Sequence, residues 1–207
     1  ARFCADVPHC RGLTFHYLLP DIRYHNDVLW ALEELNPRPL LAADAGFMYA
    51  AKMSGFADHY DLFTPDAGEM AFLADERAPH PFYTRGFLLQ EEERIPELIQ
   101  AAYAEKNAAR HLLVKGKTDY VVAEGRILHK ISEPLTAAME AIGGTGDTLT
   151  GMVTALMASG MDIPQACHAA AKANRLLGRL AQPSPATTVA ELLPFLPQAL
   201  EQALQQI

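Results

Sequence analysis

The sequence predicts a three-layer α/β/α sandwich, with helices on both faces of a mostly parallel sheet. Short continuous apolar runs, Leu40-Leu41-Ala42-Ala43 and Leu112-Leu113-Val114, mark strands buried on both sides. They alternate with segments whose apolar residues recur at three- and four-residue steps, the order of a βα fold rather than of separate strand and helix regions. A glycine-rich turn, Gly143-Gly144-Thr145-Gly146-Asp147, opens one such segment through Leu149, Met152, Val153, Leu156 and Met157.

Taken in order, Phe15 to Leu19 reads as a short strand closed by Pro20. A helix follows from Asn26 or Asp27 to Leu35, with Val28, Leu29, Leu32 and Leu35 inward, and Pro37 and Pro39 stop it. Leu40 to Ala43 is a buried strand running into an acidic turn at Asp44, and Phe47 to Phe56 is helical. Asp61 to Pro65 is a second short strand, Asp66 to Glu69 a turn, and Met70, Ala71 and Leu73 begin another helix. Residues 75–92 mix Pro, His, Arg and aromatics without a period and read as a loop or lid. Ile95 to Asn107 is amphipathic, with Ile95, Leu98, Ile99, Ala102 and Tyr103 on one face. His111 to Thr118 is a strand ending in a Lys-Gly turn, and residues 119–123 and 126–129 pair as a hairpin about Glu124-Gly125. An alanine-rich helix from Ile163 to Leu180 ends before Pro183, and Val189 to Leu204 is a last helix interrupted near Pro194 and Pro197.

At 207 residues, half of them hydrophobic and a fifth charged, the chain suits one compact domain over residues 1–207. A formal charge of -8 with no Lys/Arg cluster argues against nucleic acid as a partner. No apolar run reaches membrane-spanning length. Three cysteines, Cys4, Cys10 and Cys167, are too sparse for a disulfide framework and point to a reducing, cytoplasmic setting. Cys4, His9, Cys10 and His16 match no zinc spacing and read as scattered residues.

The glycine turn carries the chemistry. Glycines before a helix leave its first amides bare, and these donors, with the helix dipole, favour an anion. Asp147 then places a carboxylate beside that anion. No Lys-Ser or Lys-Thr follows, so this is not a Walker P-loop, and the dinucleotide fingerprint fails for want of a glycine three residues after Gly146. The spacing alone admits both an anion site and a tight turn in which Asp147 merely caps the helix. Other polar clusters, Asp44, Thr64 to Glu69 and Lys115 to Thr118, fall at predicted strand ends, where ligands of such sheets gather.

Four segments, AADAG at 42–46, LFTPDAGEMAFL at 62–73, LLVKGKTDYVV at 112–122 and GGTGDTLTGMVTALMASG at 143–160, stand in the order and spacing of the ribokinase-like superfamily. The Thr-Pro-x-x-Gly-Glu-Met element most resembles its NAD(P)H-hydrate dehydratase branch, and the tail ATTVAELLPFLPQAL resembles that branch's closing helix. The resemblance covers about residues 40–207 and implies a ribokinase-like domain lacking, or not recognisably carrying, the N-terminal part of the family fold. It implies an anion hole at Gly144, Thr145 and Gly146, with Asp147 taking a proton from a substrate hydroxyl. It implies ATP or ADP with Mg²⁺, and hydrated NAD(P)H as the substrate repaired by phosphorylation and elimination of phosphate. By the same resemblance Lys115, Gly116, Lys117, Thr118 and Gly146 line the nucleotide, and Asp66 and Asp147 face the substrate. Glu69 stands near phosphate-bound Mg²⁺, Asp44 is structural or one step removed from the ligand, and relatives often form homo-oligomers.

Several positions depart from the branch. Asp66 and Ala67 replace its usual His-Pro, and the threonine of its Lys-Gly-x-x-Thr strand end comes one place early at Thr118. Leu135 to Ile142 lacks its Asn-Pro-Gly-Met-Ala-Thr and carries Glu140 instead. A small-molecule kinase acting on a sugar, vitamin or hydroxymethyl compound, and a non-catalytic nucleotide-binding relative, are therefore the alternative readings.

Overall fold

The computed structural model describes residues 9–16, 21–78 and 94–207, and these build a six-stranded sheet between two helical layers. The strands are β1 (Gly12–Phe15), β2 (Leu40–Ala43), β3 (Leu62–Phe63), β4 (His111–Val114), β5 (Asp119–Ala123) and β6 (Arg126–Ile131). They lie side by side in chain order; β1 to β4 are parallel, and β5 and β6 add an antiparallel hairpin at one edge.

The helices are α1 (Ile22–Glu33), α2 (Ala45–Ser54), α3 (Ala67–Ala74), α4 (Ile95–Ala104), the short α5 (Ala138–Ala141), α6 (Thr145–Ala158), α7 (Ile163–Ala181), α8 (Val189–Leu192) and α9 (Leu196–Leu204). One apolar cluster joins Leu29, Phe47, Phe72 and Ile99 of α1 to α4 to Leu41, Phe63 and Leu112 on one sheet face. A second joins Val153, Leu156, Ala170 and Leu177 of α6 and α7 to Ala42, Leu62 and Leu113 on the other. Residues alternate between faces along a strand, so neighbours in sequence enter opposite cores. This double burial is why β2 and β4 read as unbroken apolar runs.

Three boundaries differ from the sequence reading for identifiable reasons. Helix α1 starts four or five residues before Asn26 or Asp27, because Asp21 caps it by accepting from the Tyr24 amide at 2.9 Å. Its first turn exposes Ile22 and Tyr24, so the apolar period is silent there. Helix α4 stops at Ala104, and Lys106 takes a left-handed φ of 58° just beyond it. The first strand ends at Phe15 rather than Leu19; residues 17–20, and the predicted loop or lid from 79 onward, lie outside the described residues.

Register sets up the site. Phe15, Ala43 and Phe63 are paired across β1, β2 and β3, so the next residues, His16, Asp44 and Thr64, leave the sheet level with one another. By the two-residue period they share the face of Ala42 and Leu62, which is the face covered by α6. Strand β4 runs further, and the Lys115 amide donates to the Pro65 carbonyl at 2.7 Å.

Beside it, Arg175 of α7 is buried against Asp119, Nε to Oδ2 at 2.8 Å, and also donates to the carbonyls of Gly116, Lys117 and Ser132. One guanidinium thus fixes the turn after β4 and the exit from β6. Replacing Arg175 by Met would strand the Asp119 carboxylate and three carbonyls. Urea unfolding should show a loss of about 3–5 kcal/mol; a loss within error of zero would mean that the turn holds itself.

Candidate active site

Asp44 is the centre of the site. It is 2 % exposed, and its carboxylate accepts from its neighbour's amide, Ala45, at 3.1 Å and from Lys115 Nζ at 2.9 and 3.1 Å. It also accepts from Thr150 Oγ1 at 3.1 Å and has His16 Nε2 at 3.3 Å. Ala45 holds a left-handed φ of 49° at the start of α2, a conformation costing a non-glycine residue about 1 kcal/mol. Burial opposes the Lys115 ammonium, but the carboxylates of Asp44, Glu69 and Asp66 outweigh it and push the lysine above its ordinary range.

Helix α6 crosses these strand ends with a polar stripe. Asp147, Thr150 and Thr154 stand three and four residues apart and so share one face. Asp147 Oδ1 lies 3.2 Å from His16 Nε2, Thr150 Oγ1 meets Thr64 Oγ1 at 3.2 Å, and Thr154 Oγ1 meets Thr14 Oγ1 at 2.7 Å. Thr154 and Asp147 thus meet β1 and the residue after it, and Thr150 meets the residues after β2 and β3.

The turn before α6 is built for close approach. Gly144 is the N-cap with φ of 98°, where a Cβ would sit 3.1 Å from Val189 Cγ1, and it supplies no side chain to cover the first-turn amides. A Cβ on Gly146 would lie 3.8 Å from Lys115 Nζ, so the ammonium rests over the first turn of α6. Thr145 Oγ1 turns back to the carbonyls of Met139 and Ile142, both at 3.1 Å, and ties the turn to α5. The Asp147 side chain, 40 % exposed, faces the open side. The Thr145 amide donates to the Ile142 carbonyl at 3.4 Å; the dipole, the other first-turn amides and the ammonium favour an anion here, with a carboxylate able to accept a proton next to it.

The structure thus gathers Gly144, Gly146, Asp147 and Lys115 from the sequence-predicted set around Asp44, and adds His16 and Thr150. Gly116 and Lys117 are tied through their carbonyls to Arg175, the Gly116 amide donates to Asp119 at 3.1 Å, and Thr118 is half-buried in the same turn. Asp66 and Glu69 form a reciprocal cap on α3: Asp66 accepts from the Glu69 amide and Glu69 from the Asp66 amide, both at 2.8 Å. Glu69 also accepts from Tyr49 at 2.9 Å, so both its oxygens are engaged. Asp44, expected to be structural or one step from the ligand, is buried. His16 was hidden because the reading ran β1 past it.

These residues do not fit a divalent ion held directly by the protein. Both Glu69 oxygens already accept hydrogen bonds, and the one group with ligand-like spacing among the described residues, His16, Asp44 and Asp147, has the Lys115 ammonium on its buried member. An ion would have to displace that ammonium or sit against it.

Over residues 24–199 the chain matches the NAD(P)H-hydrate dehydratase family. The chain belongs to that family. An uncharacterized protein of Methanocaldococcus jannaschii is 43% identical over 194 residues, covering 93% of this chain and 80% of its own length. The ADP-dependent (S)-NAD(P)H-hydrate dehydratase of Cenarchaeum symbiosum is 29% identical over 155 residues, 73% of this chain but only 47% of that enzyme. A ribokinase-like superfamily protein of Enterococcus faecalis superposes with a TM-score of 0.69 at 18% identity, covering 98% of this chain and 66% of that one, a likeness of fold. The chain therefore has the ribokinase-like fold of its family, and spans under half of the named dehydratase. Among the described residues, no helix is long and apolar enough to cross a membrane.

Burial, followed by the Asp66 charge, raises Glu69 from the ordinary carboxylate value to about 7. The stability associated with its protonated form is complete below the ordinary value and is lost as pH rises through about 7. Glu69→Gln removes this loss. The thermal midpoint of the variant relative to the parent should rise between pH about 5 and about 8. A difference that does not change with pH would show that Glu69 ionises at its usual value.

Proposed function

We propose that the protein repairs hydrated NAD(P)H in a nucleotide-dependent dehydration. The observation that carries this reading is the pairing at the start of α6: the Lys115 ammonium lies over Gly146, and the Asp147 carboxylate opens beside it. The terminal phosphoryl group of ATP or ADP sits on the first-turn amides of Gly144 to Gly146, where the helix dipole and Lys115 neutralise charge that develops during transfer. ADP is favoured by the name of the Cenarchaeum symbiosum relative. Any Mg²⁺ arrives on the nucleotide phosphates.

Asp147 takes the proton of the ring hydroxyl. The freed oxygen bonds to phosphorus, and the bond from phosphorus to the nucleotide breaks. The carbon–oxygen bond then breaks with its electron pair leaving on phosphate, a proton departs from the adjacent ring carbon, and the double bond of the reduced nicotinamide returns. Positioning, charge neutralisation and one base are the protein's share, which is what phosphoryl transfer requires.

Asp66 favours a second reading. It stands where the branch usually has histidine, is exposed, and as a carboxylate accepts hydrogen bonds rather than donating them. A hydroxyl-rich substrate suits it, and the same transfer without elimination makes a small-molecule kinase.

Hydrated NADH with ADP or ATP should give NADH, seen as the return of the reduced ring's absorbance, together with free phosphate. Asp147→Asn should lower that rate about a thousandfold while leaving thermal unfolding nearly unchanged. A stable phosphorylated product from an alcohol, with no NADH formed, selects the kinase. Unchanged turnover in the Asn variant removes Asp147 from the reaction.

A further inference from the structure

We infer that His16 is a positioning residue for Asp147, holding one carboxylate oxygen so that the other faces the ligand. The inference rests on the reading of Asp147 as the base. It is carried by a part of the chain that the family resemblance leaves out, since the matched segment begins at residue 24.

Geometry comes first. His16 is the residue that leaves β1 level with Asp44, on the face covered by α6. Its Nε2 lies 3.2 Å from Asp147 Oδ1 and 3.3 Å from Asp44 Oδ2. Both carboxylates accept only, so Nε2 carries the hydrogen, as the neutral Nε2–H tautomer or the imidazolium. Asp44 is already served by Ala45, Lys115 and Thr150. The hydrogen bond matters most to Asp147, a short side chain on the first turn of a helix with 40 % of its surface exposed.

Charge supports the same assignment. Among the described residues, the carboxylates of Asp44 and Asp147 face the imidazole, with Lys115 behind Asp44. Without a donor between them, the two carboxylates repel, and Asp147 is driven toward solvent. With Nε2–H between them, Oδ1 is engaged and Oδ2 remains as the basic atom beside the glycine turn. The imidazole also ties Asp147 to the buried Asp44–Lys115 pair, so the base and the cation over Gly146 keep a fixed separation.

The test uses His16→Ala and His16→Gln in the full chain. Gln keeps a nitrogen donor near the Nε2 position but cannot become an imidazolium. In the dehydratase assay, His16→Ala should lower kcat about tenfold or more with KM for the nucleotide nearly unchanged, and His16→Gln should recover most of kcat. A fall in both parameters, or no recovery with Gln, would overturn the positioning role. A crystal structure of His16→Ala gives a readout independent of turnover: Asp147 should leave the rotamer seen in the parent. An Asp147 carboxylate unmoved in that variant would sink the inference even if the dehydratase reading holds. A parent enzyme inactive on hydrated NADH would sink the reading and leave the rotamer test standing.

Discussion

The structure depends on a buried carboxylate that is never left alone. Moving an ionised Asp44 out of water costs several kcal/mol, and the cost is offset only if its oxygens are filled. Three elements fill them: the Ala45 amide from α2, Lys115 from the end of β4 and Thr150 from α6, with the His16 ring 3.3 Å away at the end of β1. Each donor must be in place for the charge to be tolerated, so Asp44 couples sheet, helix and lysine into one geometry. The left-handed Ala45 shows the strain accepted to turn an amide onto that carboxylate.

Parallel pairing explains why such a centre arises at this edge of the sheet. Strands running the same way end at the same edge, and a shared register delivers the first residues beyond them at one height. Alternation of side chains then decides the face. His16, Asp44, Thr64 and Lys115 follow the strands with the parity of Thr14, Ala42, Leu62 and Leu113, the last three of which pack under α6 and α7. A polar group one position earlier or later on any strand would point into the opposite core. The stripe of Asp147, Thr150 and Thr154 completes the fit, because a helix offers one face at three- and four-residue steps and here lays that face over His16, Asp44 and Thr14.

This parity also marks what the sequence made legible. Apolar runs identified β2 and β4 because both faces are buried, and the Leu149 to Met157 period identified the buried side of α6. The turn Gly143 to Asp147 was legible as a tight helix entry because three glycines stand before an apolar period, while spacing alone left an anion site and a capped turn both open. His16 was not. An apolar strand and a following Tyr-Leu-Leu run read as continuous, and only pairing with β2 shows where the strand stops. The threonines of α6 look like ordinary helix residues until the sheet beneath supplies Thr14 and Thr64. Lys115 reads toward the nucleotide from sequence, and its nitrogen also binds Asp44 while resting over Gly146, a tie that spacing cannot express.

The charge arrangement has a consequence for anion binding. Lys115 is largely compensated by Asp44, so an incoming phosphate does not meet a free cation. Its attraction comes from the bare amides of α6 and from the part of the lysine field that Asp44 does not cancel. Glu69, held to a value of about 7, is partly protonated near neutral pH, which lowers the negative field behind Lys115. Glu140, the acidic departure before the glycine turn, is exposed on α5, where water and salt weaken its repulsion over a Debye length of about 8 Å. The site thus admits an anion despite a chain carrying a formal charge of -8, because Asp44 is paired with Lys115, burial raises Glu69 and Glu140 is exposed to screening. The hydrogen bond from His16 holds the Asp147 carboxylate in place beside that anion site.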